Sequence, residues 1–269
     1  MQIKVAEHSG FCFGVRRAIK IAEKELRDLK NKKNIYSLGA IIHNPQVVDS
    51  LSKKGLSVIN NIDSIKKGSV IISSHGAPDD LIKKIKNKKL TLIDATCPFV
   101  KHVHAIVKGL KKENYRVIII GDKTHPEVKA LLSLAGKGVK NKKIGIVSQT
   151  TQDKDGYLKA ILDVLKDDFT EVKIFNTICN DTAHRQMLAR RLLNECDIMI
   201  VVGGKNSANT KRLWQICKES GVGSYHIEKE TELKRSYFSG KKCVGVASGA
   251  STPDQTVKKV VKKIETFVN

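Results

Sequence analysis

The sequence predicts an α/β protein made of three similar small units, each with a mainly parallel sheet. Short β-branched runs repeatedly end in loops of Gly, Ser, Asn or His, and each loop opens into an amphipathic, lysine-rich helical pattern. In addition, two sets of landmark residues return at nearly equal intervals along the 269 residues, which indicates an internal repeat.

The predicted strands follow one another along the whole chain, and each is short and ends in a polar or glycine-containing loop. We predict strands over residues 3–7, 35–38, 70–74, 90–96, 117–120, 144–148, 172–177, 198–202 and 244–248. Ligands of parallel sheets collect at the carboxyl ends of the strands. We therefore expect the loops after these runs to carry the chemistry.

Both sets of landmarks lie in such loops. The first set consists of cysteines 85 and 82 residues apart, at Cys12, Cys97 and Cys179. The second set consists of loop residues 82 residues apart, at His43, His125 and Ser207. The shared period predicts units at 1–96, 97–178 and 179–252, followed by a C-terminal helix at 253–269. No Pro- or Gly-rich linker separates the units, so we expect them to pack tightly.

The composition excludes several classes of protein. A formal charge of +22 favours anionic ligands, but aromatic residues make up only 5% of the chain and no helix-turn-helix pattern is present, so we expect no dedicated nucleic-acid binding. The apolar runs are far shorter than the roughly 20 residues of a membrane helix, which predicts no membrane insertion. The N-terminal sequence lacks a secretion signal, so we expect a cytoplasmic protein.

The three spaced cysteines lie just after a predicted strand and just before a predicted helix. A helix N-terminus lowers the pKa of a thiol and so favours the metal-binding thiolate. If the three helix starts meet, Cys12, Cys97 and Cys179 would bind a metal centre and leave one position open, as in catalytic sites. Spacing alone is equally compatible with ordinary buried thiols.

The other cysteines are predicted to be small buried residues, at Cys196, Cys217 and Cys243. Because a chain without an export signal is expected in a reducing compartment, we predict no disulfides.

Histidines and hydroxyl residues occupy the remaining loops. His43, His75 and His125 each follow an apolar strand, and the corresponding loops at 148–151, 207–209 and 248–251 supply hydroxyl and amide groups. These side chains could simply cap helices. Alternatively, together with helix N-termini, they could hold a phosphate or diphosphate. We find no Walker or Rossmann motif, so no nucleotide cofactor is predicted.

One carboxylate stands directly beside a candidate histidine. If Glu127 faces a closed, partly desolvated pocket, it could remain protonated and serve as a proton source. His102 and His104 do not share a helix face with each other and are predicted to be surface residues.

Nine motifs, taken together and in order, resemble the LytB family of 4-hydroxy-3-methylbut-2-enyl diphosphate reductases over essentially the whole chain. They are GFCFGVRRA (10–18), IHNPQVV (42–48), SHGAP (74–78), DATCP (94–98), GDKTHPEV (121–128), SQTT (148–151), TICNDT (177–182), VGGKNS (202–207) and GASTP (249–253).

The resemblance implies an oxidoreductase that catalyses the last step of the non-mevalonate isoprenoid pathway. Two electrons and two protons would remove an allylic hydroxyl and give isopentenyl and dimethylallyl diphosphate. The three units would surround one 4Fe–4S cluster, whose open iron binds the substrate hydroxyl and whose ligands would be Cys12, Cys97 and Cys179. Electrons would come from a donor such as ferredoxin or flavodoxin.

The resemblance also implies roles for the loop residues. The substrate-binding set would be His43, His75, His125, Thr150, Ser207, Ala208, Asn209 and Ser251. The catalytic set would be Glu127 as proton donor, with His125 and Thr150. Ala208 departs from the family pattern, because many relatives have a serine there. The absence of the serine hydroxyl removes one possible hydrogen bond to the phosphate.

Two other classes share parts of this pattern. A three-thiolate zinc hydrolase acting on phosphorylated substrates would use the same cysteines and anion-binding loops but would need no electrons. A basic nucleic-acid-binding protein would account for the charge alone and would not need the cysteines.

Overall fold

The computed structural model describes residues 1–27, 34–136 and 141–268. The strands in this part of the chain are β1 (Gln2–Val5), β2 (Ile35–Leu38), β3 (Leu56–Ile59), β4 (Ser69–Ile72), β5 (Thr91–Asp94), β6 (Arg116–Ile120), β7 (Lys143–Ser148), β8 (Glu171–Ile174), β9 (Ile198–Val202), β10 (Gly223–Ile227) and β11 (Cys243–Ser248). The helices are α1 (Phe13–Arg27), α2 (Pro45–Lys53), α3 (Asp79–Asn87), α4 (Pro98–Lys112), α5 (Pro126–Ala135), α6 (Lys154–Val164), α7 (Asn180–Leu193), α8 (Ala208–Glu219) and α9 (Asp254–Val268).

The predicted α/β class is confirmed, since every strand pairing in the described residues is parallel. Each of the nine predicted runs overlaps a strand, although the observed ends differ by up to three residues. The prediction missed β3 and β10, which both lie at the edge of a sheet. An edge strand is covered less completely than a central one, so the sequences LSVI and GSYHI mix polar and apolar residues and resemble loops.

The strands form three sheets that share one internal order. The sheets run β3-β2-β4-β5, β6-β7-β8 and β10-β9-β11-β1. In each sheet one edge strand leads to a landmark cysteine, because β1, β5 and β8 precede Cys12, Cys97 and Cys179. The chain therefore repeats one structural plan three times.

The N-terminal strand belongs to the last of these sheets. Strand β1 pairs with β11 in the register Gln2↔Cys243 to Val5↔Val246, whereas the sequence-based boundary puts residues 1–5 in the unit ending at residue 96. The reason is that the repeat is circularly permuted. Strand β1 occupies the edge of this sheet that β5 and β8 occupy in the other two sheets. The division into three units remains a prediction.

The chain divides into two compact units. Unit 1 contains Met1–Cys12, His43–Pro45 and the chain from Cys179 onwards, and unit 2 contains Phe13–Ile42 and Gln46–Ile178.

Central strands are buried along nearly their whole length in both units. β4, β9 and β11 are buried at every residue, and β7 at every residue after Lys143. In unit 1, helices cover both faces of the sheet: Leu188 and Leu213 pack on one face, and Val260 and Ile264 on the other. A strand that is covered on both faces has a nearly continuous apolar sequence, so these strands could be predicted from the sequence. None of the helices in the described ranges is long and apolar enough to cross a membrane.

Candidate functional site

The structure separates the six cysteines into two groups. Cys12, Cys97 and Cys179 are only partly buried, and each directly precedes the first residue of a helix, namely α1, α4 and α7. The remaining cysteines are buried in the core, as predicted, at Cys196, Cys217 and Cys243. The repeated thiols therefore stand at equivalent places in the fold and are accessible enough to bind a ligand.

In unit 2, the surroundings of Cys97 oppose ionisation of the free thiol. Burial raises its pKa, and the negative charge of Glu127 adds to this shift. The backbone N–H groups of Phe99 and Val100 and the charge of Arg17 act in the opposite direction. The helix start does lower the pKa of Cys97, but burial raises it by more. The expectation of a lowered thiol pKa is therefore wrong for Cys97.

Glu127 lies in the first turn of α5 and is only 1% exposed. Its Oε1 accepts a hydrogen bond from the Thr150 backbone N–H at 2.7 Å, and its Oε2 accepts one from the Thr150 hydroxyl at 2.8 Å. Burial raises the pKa of Glu127 to about 7, although both bonds from Thr150 lower it. The carboxyl can thus gain or lose a proton near neutral pH.

Two histidines of unit 2 contact each other beside this carboxyl. His125 is the N-cap residue of α5, and its Nδ1 accepts a hydrogen bond from the Glu127 backbone N–H at 3.2 Å. A ring nitrogen that accepts carries no hydrogen, so the neutral His125 ring has its hydrogen on Nε2. The His75 ring packs edge-on against His125, with ring centroids 5.2 Å apart. His125 therefore presents Nε2–H as a donor.

In unit 1, the start of α8 presents hydroxyl and amide groups. Ser207 is the N-cap residue, and its Oγ accepts a hydrogen bond from the Thr210 backbone N–H at 3.3 Å. Ala208 contributes the first helical residue. The side chain of Asn209 is buried, and among the described residues its Nδ2 has no hydrogen-bond partner. A buried amide donor without a partner is costly, which indicates that a ligand satisfies it.

The segment His43–Pro45 packs against the rest of unit 1 through backbone contacts. The Ser251 hydroxyl donates to the His43 carbonyl at 3.2 Å, and the Asn44 amide donates to the Ser251 carbonyl at 2.9 Å. A Cβ on Gly204 would lie 2.4 Å from the His43 carbonyl oxygen, so only glycine fits there. Burial, and next the charge of Lys211, lower the pKa of His43, which favours its neutral ring.

Sequence reasoning missed Arg185 of unit 1, which is 2% exposed. Its Nε donates to Asp181 at 2.8 Å, and its Nη atoms donate to the carbonyls of His8, Gly10 and Ser248 at 2.8–3.1 Å. Arg185 therefore links the loop before Cys12 to the first turn after Cys179. The sequence does show that Asp181 and Arg185 are four residues apart on a predicted helix, but such pairs usually lie on helix surfaces.

The predicted site residues divide between the two units. Unit 2 contains His75, Cys97, His125, Glu127 and Thr150. Unit 1 contains Cys12, His43, Cys179, Ser207, Ala208, Asn209 and Ser251.

The surface prediction is wrong for one of the two histidines on α4. His102 is exposed, but His104 is partly buried and its Nε2 is inaccessible. Its ring lies so close to Gly76 that a Cβ there would stand 2.8 Å away. The loop that carries His75 needs this glycine for a second reason, since its φ is +80°.

Comparison with known proteins places the chain in one family. The family model described as LytB protein matches residues 3–265. The 4-hydroxy-3-methylbut-2-enyl diphosphate reductase of Aquifex aeolicus is 42% identical over 281 residues, covering 98% of this chain and 96% of the relative. The enzyme of the same name from Campylobacter hominis is 44% identical over 283 residues, covering 99% and 100%.

Two solved structures agree with this assignment. One is (E)-4-hydroxy-3-methyl-but-2-enyl diphosphate reductase, described as the terminal enzyme of the non-mevalonate pathway, with 42% identity, a TM-score of 0.69 and coverage of 99% of this chain and 100% of that chain. The other is the E-1-hydroxy-2-methyl-but-2-enyl-4-diphosphate reductase of Plasmodium falciparum, with 31% identity, a TM-score of 0.89 and coverage of 97% and 87%. The oxidoreductase activity implied by the motifs is confirmed. The chain therefore belongs to the LytB protein family, the family of 4-hydroxy-3-methylbut-2-enyl diphosphate reductases.

Proposed function

We propose that this chain removes the allylic hydroxyl of 4-hydroxy-3-methylbut-2-enyl diphosphate with two electrons and two protons, giving isopentenyl and dimethylallyl diphosphate in the cytoplasm. The main support for the residue assignment is the burial of Glu127. This carboxyl is 1% exposed, has a pKa of about 7 and lies two residues after His125 in the sequence. Loss of the hydroxyl as water needs a group that can donate a proton near pH 7. A ferredoxin or flavodoxin would supply the electrons.

The LytB family is a family of iron–sulfur enzymes, and we assign one 4Fe–4S cluster to Cys12, Cys97 and Cys179. The donor set fits, because these are the partly buried cysteines at helix starts, whereas the other three are enclosed in the core. Because burial raises the pKa of the Cys97 thiol, binding of the cluster there has to displace the thiol proton. When bound, such a cluster supplies electrons and an open Lewis-acid position.

The diphosphate is assigned to the substrate-binding set that the motifs imply. Asn209 offers its partnerless Nδ2–H, and Ser207 can turn its own hydroxyl hydrogen to a phosphate oxygen while its Oγ caps α8. His125 offers Nε2–H, and His43 and His75 add imidazole groups. A helix N-terminus at α5 and at α8 and a net charge of +22 favour an anion.

Two members of the predicted substrate-binding set contribute differently from the others. Ser251 directs its hydroxyl to the His43 carbonyl, so it positions His43 unless the hydroxyl turns towards substrate. Ala208 can contribute only its backbone N–H, which is available at the first residue of α8.

Glu127 and Thr150 form the proton-transfer pair. The Thr150 backbone N–H can only donate, so Oε1 must accept and the proton of Glu127 rests on Oε2. When Oε2 is protonated, the Thr150 hydroxyl accepts from it and its own hydrogen is free to turn elsewhere. Thr150 can therefore pass a proton onward.

Metal analysis of protein purified without oxygen tests the proposal. We expect about four irons and four sulfides per chain, loss of most of both in Cys179→Ser, and normal content in Cys217→Ser, a matched change of a buried thiol. The wild type should then oxidise a reduced dye only when substrate is present. Stoichiometric zinc without sulfide would instead establish the three-thiolate hydrolase.

A further inference from the structure

A second pair of thiols lies in unit 1, away from the assigned site. Cys196 lies two residues before β9, and Cys243 is the first residue of β11. Both are therefore at the amino ends of strands whose carboxyl ends lead to residues 203–209 and 249–251. Their sulfur atoms are 3.0 Å apart. Both residues are buried, at 7% and 8% exposure, and neither is completely enclosed.

The backbone beside the two cysteines is held in place by Asp197. Its carboxylate accepts hydrogen bonds from the backbone N–H groups of Lys242 and Cys243 at 2.8 and 2.9 Å, and its own N–H donates to the Cys243 carbonyl at 3.0 Å. The two bonds to the carboxylate lower the pKa of Asp197, so they persist at neutral pH. These bonds fix the backbone of Cys243 against the backbone next to Cys196.

The environment keeps the Cys196 thiol protonated. Burial, and next the contact with Cys243, raise the pKa of Cys196 to about 12, while the charge of Lys4 opposes the shift. No third His, Cys, Asp or Glu of the described residues forms a metal-binding group with these two sulfurs. Their surroundings are apolar, with Met199 and Ala247 in the same core cluster.

We propose that Cys196 and Cys243 form a reversible intramolecular disulfide when the protein meets a two-electron thiol oxidant such as a peroxide or an azodicarboxamide. The two S–H bonds break and one S–S bond forms. The thiol pair gives up two electrons and two protons, which hydrogen peroxide takes up as two molecules of water and an azodicarboxamide as its hydrazine. A dithiol reductant reverses the reaction.

The disulfide would join the start of β9 to the start of β11 across 47 residues of chain. That segment contains α8 with Ser207 and Asn209, so the cross-link would hold the framework of these residues without touching them. It is thus a modification site of the scaffold, separate from the three cysteines assigned to the cluster.

Peptide mapping tests the proposal directly. Trypsin places every cysteine on its own peptide, with Cys196 in residues 192–205 and Cys243 in residues 243–258. Holoprotein kept without oxygen is treated with azodicarboxamide, the remaining thiols are alkylated, and the digest is analysed by mass spectrometry. We expect the 192–205 and 243–258 peptides linked to each other as the main product containing Cys196, and its disappearance after dithiothreitol.

Variants and an unfolded sample separate this pair from random oxidation. Cys196→Ala should abolish the link and leave Cys243 alkylated, whereas Cys217→Ala, a change in the same core cluster, should leave the link intact. Protein oxidised in concentrated urea should give mixed pairings. Native protein that yields both peptides separately alkylated, or Cys196 joined to a different cysteine, would overturn the proposal.

Discussion

The Glu127→Gln substitution should make the stability of the fold less sensitive to pH. In the folded chain the pKa of Glu127 is raised from 4.5 to about 7, because the carboxyl is 1% exposed. Below pH 4.5 both the folded and the unfolded chain hold the proton, and the fold suffers no penalty. Between pH 4.5 and 7 the unfolded chain loses the proton first, so the wild type loses stability as pH rises.

The size of this effect follows from the shift. A change of one pKa unit corresponds to about 1.4 kcal/mol, so the shift of Glu127 is worth about 3 kcal/mol above pH 7. Glutamine keeps an oxygen that can accept from the Thr150 N–H but has no proton to lose. The free energy of unfolding of the variant minus that of the wild type should therefore increase by about 3 kcal/mol between pH 4.5 and 8.

Urea unfolding of metal-free chain at several pH values between 5 and 8 measures this difference. Glu219→Gln, a change of the same charge at an exposed position of α8, reports the general effect of removing a carboxylate. Curves for wild type and Glu127→Gln that run parallel across this range would refute the burial argument, and with it the proton role that rests on the raised pKa.

Three further substitutions test other parts of the site. Thr150→Val removes the hydroxyl bond that lowers the pKa of Glu127, so the pH at which turnover falls to half should rise by about one unit, as a pH–rate profile would show. Gly204→Ala places a Cβ against the His43 carbonyl and should lower the free energy of unfolding by about 1–3 kcal/mol in urea titrations. Asn209→Ala should weaken inorganic diphosphate binding about tenfold in calorimetry with almost unchanged stability, because its Nδ2 lacks a partner in the described chain; equal affinity would remove Asn209 from the binding set.

The sequence predicted the parts of the fold that repeat. Apolar runs identified the central strands because helices cover both of their faces, and the 82-residue period found the loops in which His43, His125 and Ser207 lie. The structure gives this period a physical meaning, since each of these residues follows the last residue of β2, β6 or β9 by five positions.

Other features depend on contacts between distant parts of the chain and could not be predicted. The pairing of β1 with β11 joins the two ends of the sequence, and no local pattern encodes it. The burial of Arg185 could not be predicted, because its side chain donates to backbone carbonyls of distant segments. Every residue has a backbone carbonyl, so the sequence does not show which ones accept. The upward pKa shift at Cys97 reflects the balance between burial and helix dipole, and burial is a property of the folded chain.

The permuted third sheet has a consequence for biosynthesis. Strand β1 leaves the ribosome 241 residues before its partner β11, since Gln2 pairs with Cys243. At about 5 to 20 residues per second, translation leaves β1 unpaired for on the order of ten seconds to a minute. Sheets β3-β2-β4-β5 and β6-β7-β8 contain only strands made before residue 179 and can form in that time. Strand β1, which precedes Cys12, can therefore take its place in the sheet only after β11 has been made.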